Sequence, residues 1–192
     1  MHLNKLDLYL KILIGLGLSA ASGFRLFVPF AILSIFSISG IYNTTSTPFI
    51  FSSDLFLVIF IILSVSEVLL FYNPWIDNML DLISTPASIF SGIIITYFVL
   101  YDTEIYLRLL ISVILGGLVS LNVQLLTVKA RSSTSIFSKG NGNQIVSTIE
   151  NISSIFISIL VLKFPLAGIF VSAIIIYLIY TFIIKKGRQV RK

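Results

Sequence analysis

Arg25 stands in the middle of an apolar run from Ile12 to about Ile41, within the stretch Gly-Leu-Gly-Leu-Ser-Ala-Ala-Ser-Gly-Phe-Arg-Leu-Phe-Val-Pro of residues 15–29. A guanidinium there can hold an anionic solute, or it can pair with a carboxylate from another apolar stretch, for which Glu67 and Glu150 are the candidates. Placing an Arg centrally in a bilayer costs about 2.5–3.5 kcal/mol on insertion scales, so such residues turn inward and find partners. Glu67, inside its own apolar stretch, is a candidate proton or cation site. Glu150 has a second interpretation, because Ser147-Thr-Ile-Glu150 matches a capping box at a helix start. Ser19, Ser22 and Gly23 flank Arg25 with hydroxyls and backbone freedom, and with Arg25, Glu67 and Glu150 they form the expected solute- or ion-binding set. Asp77 and Asp81 are four apart and share a helix face, which suits either a cation or an exposed acidic face on an interfacial helix.

The elements that must position these residues are membrane helices. The chain has 57% hydrophobic and only 11% charged residues with a mean hydropathy of +1.05, beyond the range of a soluble domain. Cysteine is absent, which excludes disulfides, thiolate metal sites and cysteine nucleophiles, and a lone His2 offers no histidine site. No nucleophile–base pair or metal-ligand cluster is visible, so the sequence predicts no enzymatic activity, no cofactor and no metal. The net charge of +5 reflects basic residues gathered at the C-terminus and in one loop, a topology signal with no nucleic-acid partner implied.

Candidate spans are 10–40, 54–72, 84–101, 105–127, 145–162 and 166–184. The expected fold is therefore an all-α polytopic helix bundle of about six spanning helices, forming one membrane domain over residues 1–192 with a basic cytoplasmic tail at 185–192. The opening residues predict a retained first helix, since Asp7 interrupts the basic region a cleavable signal would need. A straight helix over the first run would reach roughly 45 Å against a hydrocarbon core of about 30 Å, so it must tilt or break. Pro29 and Gly23 put the break beside Arg25. Gly15, Ser19 and Gly23 make a small-residue stripe that a second helix, including one from another copy, can approach closely.

Treating the first run as one kinked span puts both termini inside, with ten Lys and Arg on the inner segments, only Arg108 and Lys163 outside, and Arg25 buried. A re-entrant first run would reverse that count and return residues 41–53 to the side of the N-terminus. That loop has no Lys or Arg and is expected outside. Residues 74–81 predict a short interfacial helix before a third span beginning at Pro86, and the polar segment 130–144 predicts a mobile loop. Three spans in each of two halves, 1–101 and 102–184, would make an inverted 3+3 repeat, for which the echo between residues 89–97 and 169–177 gives weak support. Asn122 and Gln124 are expected to bond between helices.

Three blocks, residues 17–29, 74–81 and 142–151, resemble a family of small bacterial membrane proteins known as domain of unknown function 4126. The most specific is Gly-Leu-Ser-Ala-Ala-Ser-Gly-Phe-Arg-Leu-Phe-Val-Pro, where small residues, Arg and Pro stand at offsets unusual for a spanning helix. The sequence departs from the family at Thr85, where an Arg often precedes the proline, so an anion contact of that Arg would be missing here. The resemblance implies a bacterial inner-membrane location and carries no activity. The expected function is a small secondary transporter or channel for a small solute or ion, with a midplane site at the broken first helix, and with a non-transporting assembly or accessory subunit of a membrane complex as the alternative.

Overall fold

The computed structural model describes residues 5–41, 49–72, 74–138, 141–171, 173–174 and 177, without the side chains of 74–78, 132–138 and 141–143. The described elements are helical: α1 (Lys5–Phe24), α2 (Val28–Ile38), a 3-10 turn (Phe49–Ser52), α3 (Asp54–Phe71), α4 (Pro74–Val99), α5 (Ile105–Ile111), α6 (Leu118–Ser138) and α7 (Asn141–Lys163). A π-helical turn over Ser112–Gly117 joins α5 to α6. Among the described residues five stretches are long and apolar enough to cross a membrane: Lys5–Phe24, Asp54–Phe71, Met79–Val99, Ile105–Arg131 and Gln144–Lys163. The protein is a polytopic helical bundle of the kind that occupies a lipid bilayer.

The first run breaks at Arg25–Phe27, as its length and Pro29 required, but it does not continue as a kinked span. Lys11 on α1 meets Asp102 after α4 at 3.0 Å, while Arg25 meets Glu150 on α7 at 3.2 Å, so α1 runs from an Asp102 end to an Arg131 end of the bundle. The chain then returns. Phe27 lies against Glu67, the Phe30 and Phe60 rings stack at 5.3 Å, and Ser37 bonds Ser52 at 2.9 Å just before α3 begins. The α3 helix runs toward the Arg131 end, where Tyr72 bonds Thr148 at 2.6 Å, so α2 is antiparallel to both α1 and α3. The expected single span over 10–40 is thereby corrected to a helical hairpin with Arg25 at its apex. Pro29 fits the first turn of α2, where no amide donor is needed, rather than a kink.

Two further expectations change. The α4 helix is continuous through Pro86, so there is no separate interfacial helix before it. Pro86 removes the amide that would bond the Leu82 carbonyl, and beside that gap the hydroxyls of Ser84 and Thr85 bond the Asp81 carbonyl at 3.3 and 2.9 Å. The polar segment 130–144 is largely helix, since α6 runs to Ser138 and α7 begins at Asn141. The sixth expected span begins with helical residues 167–171, where Val171 packs on Ala20 and Val123, and most of 172–184 lies outside the described residues. So does the 185–192 tail.

Small hydroxylated residues fill the interior, and large aliphatic ones face outward. Ser19 and Ser22 of α1, Ser84, Ser88 and Thr96 of α4, Ser120 and Thr127 of α6, and Ser154 and Ser158 of α7 are all buried. Lipid tails are as apolar as leucine, so close backbone approach and interhelical hydrogen bonds hold such a bundle together. The α4 backbone touches the π turn at Gly92 and Gly116, where a Cβ on either residue would meet the other's carbonyl oxygen. A conventional apolar cluster of Phe30, Leu33, Phe36, Phe51 and Val99 locks the hairpin at the Asp102 end.

Candidate functional site

Because the hairpin turns inside the bundle, its apex brings polar backbone and Arg25 against residues of four other helices. Arg25 is 1% exposed, and its Nη2 lies 3.2 Å from the Glu150 carboxylate and donates to the Ser147 carbonyl at 3.1 Å. Glu150 is held from the other side by Arg131 of α6, whose Nε donates at 3.0 Å while its Nη2 pairs with the second carboxylate oxygen. The remaining Arg131 nitrogen, Nη1, reaches Asp81 of α4 at 2.8 Å. Arg25, Glu150, Arg131 and Asp81 thus form an alternating chain of charges joining the hairpin apex, α7, α6 and α4. Alternation lets each buried charge face an opposite one, and fork-shaped guanidiniums suit the two-oxygen geometry.

Phe71, the last residue of α3, completes the arrangement. Its ring lies 4.4 Å from the Arg25 guanidinium carbon and 4.1 Å from that of Arg131, a double cation–π contact. Such contacts contribute about 0.5–2 kcal/mol each, more when water is excluded. One turn earlier, the Glu67 carboxylate accepts the amides of Leu26 at 2.8 Å and Phe27 at 3.1 Å, capping the N-terminal end of the returning half of the hairpin. Two otherwise orphaned donors are satisfied, and the negative charge sits at the positive end of the α2 dipole. Glu67 and Phe71 are the only buried residues of α3, so at this end the peripheral helix is held through the site, while Phe60 stacked on Phe30 and Phe51 holds it further along.

A cleft of about 170 Å³ lies beside them, lined by Leu26, Phe27, Glu67, Phe71, Leu80 and Ser84 among others. Its rim residues Leu70 and Ile83 are exposed on the outer surface, so it opens sideways between α3 and α4. Arg25 is not among its lining residues.

The sequence-predicted residues divide accordingly. Arg25, Glu67, Glu150 and Asp81 come together. Glu150 is not a cap, because α7 begins at Asn141 and Ser147 is mid-helix, its hydroxyl donating to the Phe71 carbonyl at 3.4 Å. Asp81 is not on an exposed acidic face: its side chain is only 15% exposed and pairs with Arg131. The Asp77 side chain lies outside the described residues. Ser19, Ser22 and Gly23 pack away from the cleft. Ser19 bonds the Gly15 carbonyl and Thr96, Ser22 bonds Ser19 and Ser120, and Gly23 abuts Ser120 and Val123. The Gly15/Ser19/Gly23 stripe is therefore filled by α4 and α6 of the same chain and is not open to a second copy. Gln124 bonds Ser84 of α4 at 2.8 Å as expected, whereas Asn122 bonds only Leu118 of its own helix among the described contacts.

Arg131 and Phe71 were missed by sequence reasoning. Arg131 sits in a polar segment that reads as a loop, yet Ser120, Gln124, Thr127 and Arg131 follow helical spacing down one face, and that stripe could have disclosed it. The opposite end holds a second set: Lys11 between Asp7 at 3.3 Å and Asp102 at 3.0 Å, and Arg108 donating to the Tyr97 and Tyr101 carbonyls at 2.7 and 3.3 Å where α4 ends. A cation there satisfies terminal carbonyls and complements the helix dipole.

Comparison with curated proteins and with solved structures finds no match. Residues 12–185 match the family described as domain of unknown function (DUF4126), so the chain belongs to that family.

Proposed function

We propose that the protein is a small secondary carrier or channel for a small solute or ion in the bacterial cytoplasmic membrane, with its binding site at the hairpin apex. The observation that carries this is the attachment of α3, whose two buried residues are a carboxylate on the Leu26 and Phe27 amides and a ring against two guanidiniums. Broken helices with half-helix termini aimed at a site, and ionisable groups that exchange partners, are recurrent in transporters. Movement of α3 would expose the Leu26 and Phe27 amides, Glu67 and Arg25 together. In this reading Glu67 is the group that exchanges a proton or cation, and the Arg25–Glu150–Arg131–Asp81 chain is the fixed wall behind it.

We also propose that the Arg131 end faces the cytoplasm. Lys129 and Arg131 lie at that end against Lys5, Lys11, Arg108 and Lys163 at the other, and the proposal assigns to the Arg131 end the basic residues outside the described ones, Lys139, Lys185, Lys186, Arg188, Arg191 and Lys192. The hairpin then leaves the N-terminus outside and the C-terminus inside.

The alternating charges also favour an accessory-subunit reading, because paired groups can serve packing alone. Proteoliposomes carrying the full chain decide between the two. Imposed gradients of small ions should drive flux that Glu67→Gln and Arg25→Ala abolish while the protein stays folded. Absence of any flux, with loss of a co-purifying partner in both variants, would establish the subunit.

A further inference from the structure

We propose that the cleft between α3 and α4 binds an amphiphilic ammonium, with its cationic head at Glu67 and its alkyl tail along the cleft into the bilayer. This deepens the proposed function and rests on its assignment of Glu67 to the binding site. Among the described residues Glu67 is 7% exposed and has no side-chain cation within ion-pairing distance, its carboxylate taking only the Leu26 and Phe27 amides at 2.8 and 3.1 Å. Each carboxylate oxygen can accept a second donor, so capacity for a cation's N–H groups remains. A buried carboxylate is costly, and although the Arg25 guanidinium acts on Glu67 from beyond ion-pairing distance, a cation in direct contact relieves that cost more fully.

The surroundings select the class of cation. The cleft of about 170 Å³ offers Leu63, Leu70, Leu80 and Ile83 as walls and adds only the hydroxyls of Ser66 and Ser84. A calcium ion needs six to eight oxygen ligands and magnesium keeps an octahedral shell of oxygens, which these walls do not provide. An alkylammonium needs one carboxylate for its head and apolar walls for its tail. Its route is also visible, because Ser66, Leu70 and Ile83 are exposed and the cleft opens sideways, toward the position lipid would take. Glu67 lies one turn from the end of α3, so a head bound there sits just beneath the membrane surface while the tail extends toward its interior.

The test uses the full chain in phosphatidylcholine nanodiscs, with thermal unfolding followed against octylammonium, octanol and octanoate. Octylammonium alone should raise the melting temperature saturably, and the rise should vanish in Glu67→Gln. Should that variant fail to fold, Ser66→Trp fills the cleft without touching the carboxylate and should abolish the rise as well. An equal effect of octanol would mean an acyl groove only, and an effect of octanoate without octylammonium would mean an anion site; either overturns the proposal, as does octylammonium binding that survives both substitutions. Binding is read here without flux. If octylammonium binds and no solute moves in proteoliposomes, the carrier falls and this site stands, whereas solute flux without octylammonium binding removes this site and leaves the carrier.

Discussion

Arg25 on the hairpin apex lies 3.2 Å from Glu150 on α7, and the two are 1% and 2% exposed. The first run can turn within the bundle because this partner waits there: the guanidinium that would be expensive against lipid becomes the pin of the turn. Removing one member of such a pair leaves the other charge buried, which typically costs about 3–5 kcal/mol. Arg25→Leu and Glu150→Leu should each lower stability by that order in a denaturant titration in detergent micelles. The double variant still takes Glu150 away from Arg131, which keeps Asp81 at 2.8 Å, so it should recover only part of the loss. Full recovery would mean that Glu150 does not serve Arg131.

The antiparallel course of α1 and α2 fixes which segments share an end of the bundle. The native chain has no cysteine, so single Cys substitutions can be read cleanly. Lys5→Cys and Glu104→Cys should react with an impermeant thiol reagent from the same side, and Ser138→Cys only from the other. Reaction of Lys5→Cys from the Ser138 side would restore the kinked span and remove the hairpin.

Gly92 and Gly116 let α4 and the π turn meet backbone to backbone, with a Cβ on either residue directed at the other's carbonyl oxygen. Overpacking of this kind typically costs about 1–3 kcal/mol. Gly92→Val and Gly116→Val should therefore each reduce the melting temperature, while Gly40→Ala, outside the helices at φ 67°, should act through backbone strain and cost less. Equal melting temperatures for Gly92→Val and the native chain would contradict the close approach.

Helix content and the break beside Arg25 were legible because apolar length and Pro29 speak through local rules. The direction taken after the break was not. It depends on Glu67, some forty positions later, accepting the Leu26 and Phe27 amides, and no local rule connects them. Counting Lys and Arg pointed the other way, because Lys5 and Lys11 were credited to the inner side, yet Lys11 is buried against Asp7 and Asp102 and has its own reason to be there. Arg131 was hidden by composition: Ser, Thr, Gly and Asn around it suggest a loop, whereas helix continues to Ser138. The inverted repeat rested on an odd number of spans per half, and a first run that goes in and returns alters that parity.

Phe71 and Glu67 fasten the same helix by different means, and their substitution should pull transport in opposite directions. Phe71→Leu keeps an apolar side chain but loses two cation–π contacts of about 0.5–2 kcal/mol each. It should loosen α3, read as faster amide hydrogen exchange over residues 65–72, and should raise flux if α3 movement limits the cycle. Glu67→Gln keeps one acceptor for the Leu26 and Phe27 amides and loses the charge. Loss of a cap costs about 0.5–2 kcal/mol, so stability should fall modestly while flux disappears. A packing role for both residues makes a different forecast, in which Phe71→Leu and Glu67→Gln lower stability and leave transport unchanged or absent in all forms. Measuring exchange and flux on the same preparations separates these outcomes, since a loosened α3 with unaltered flux would detach the helix from the transport step.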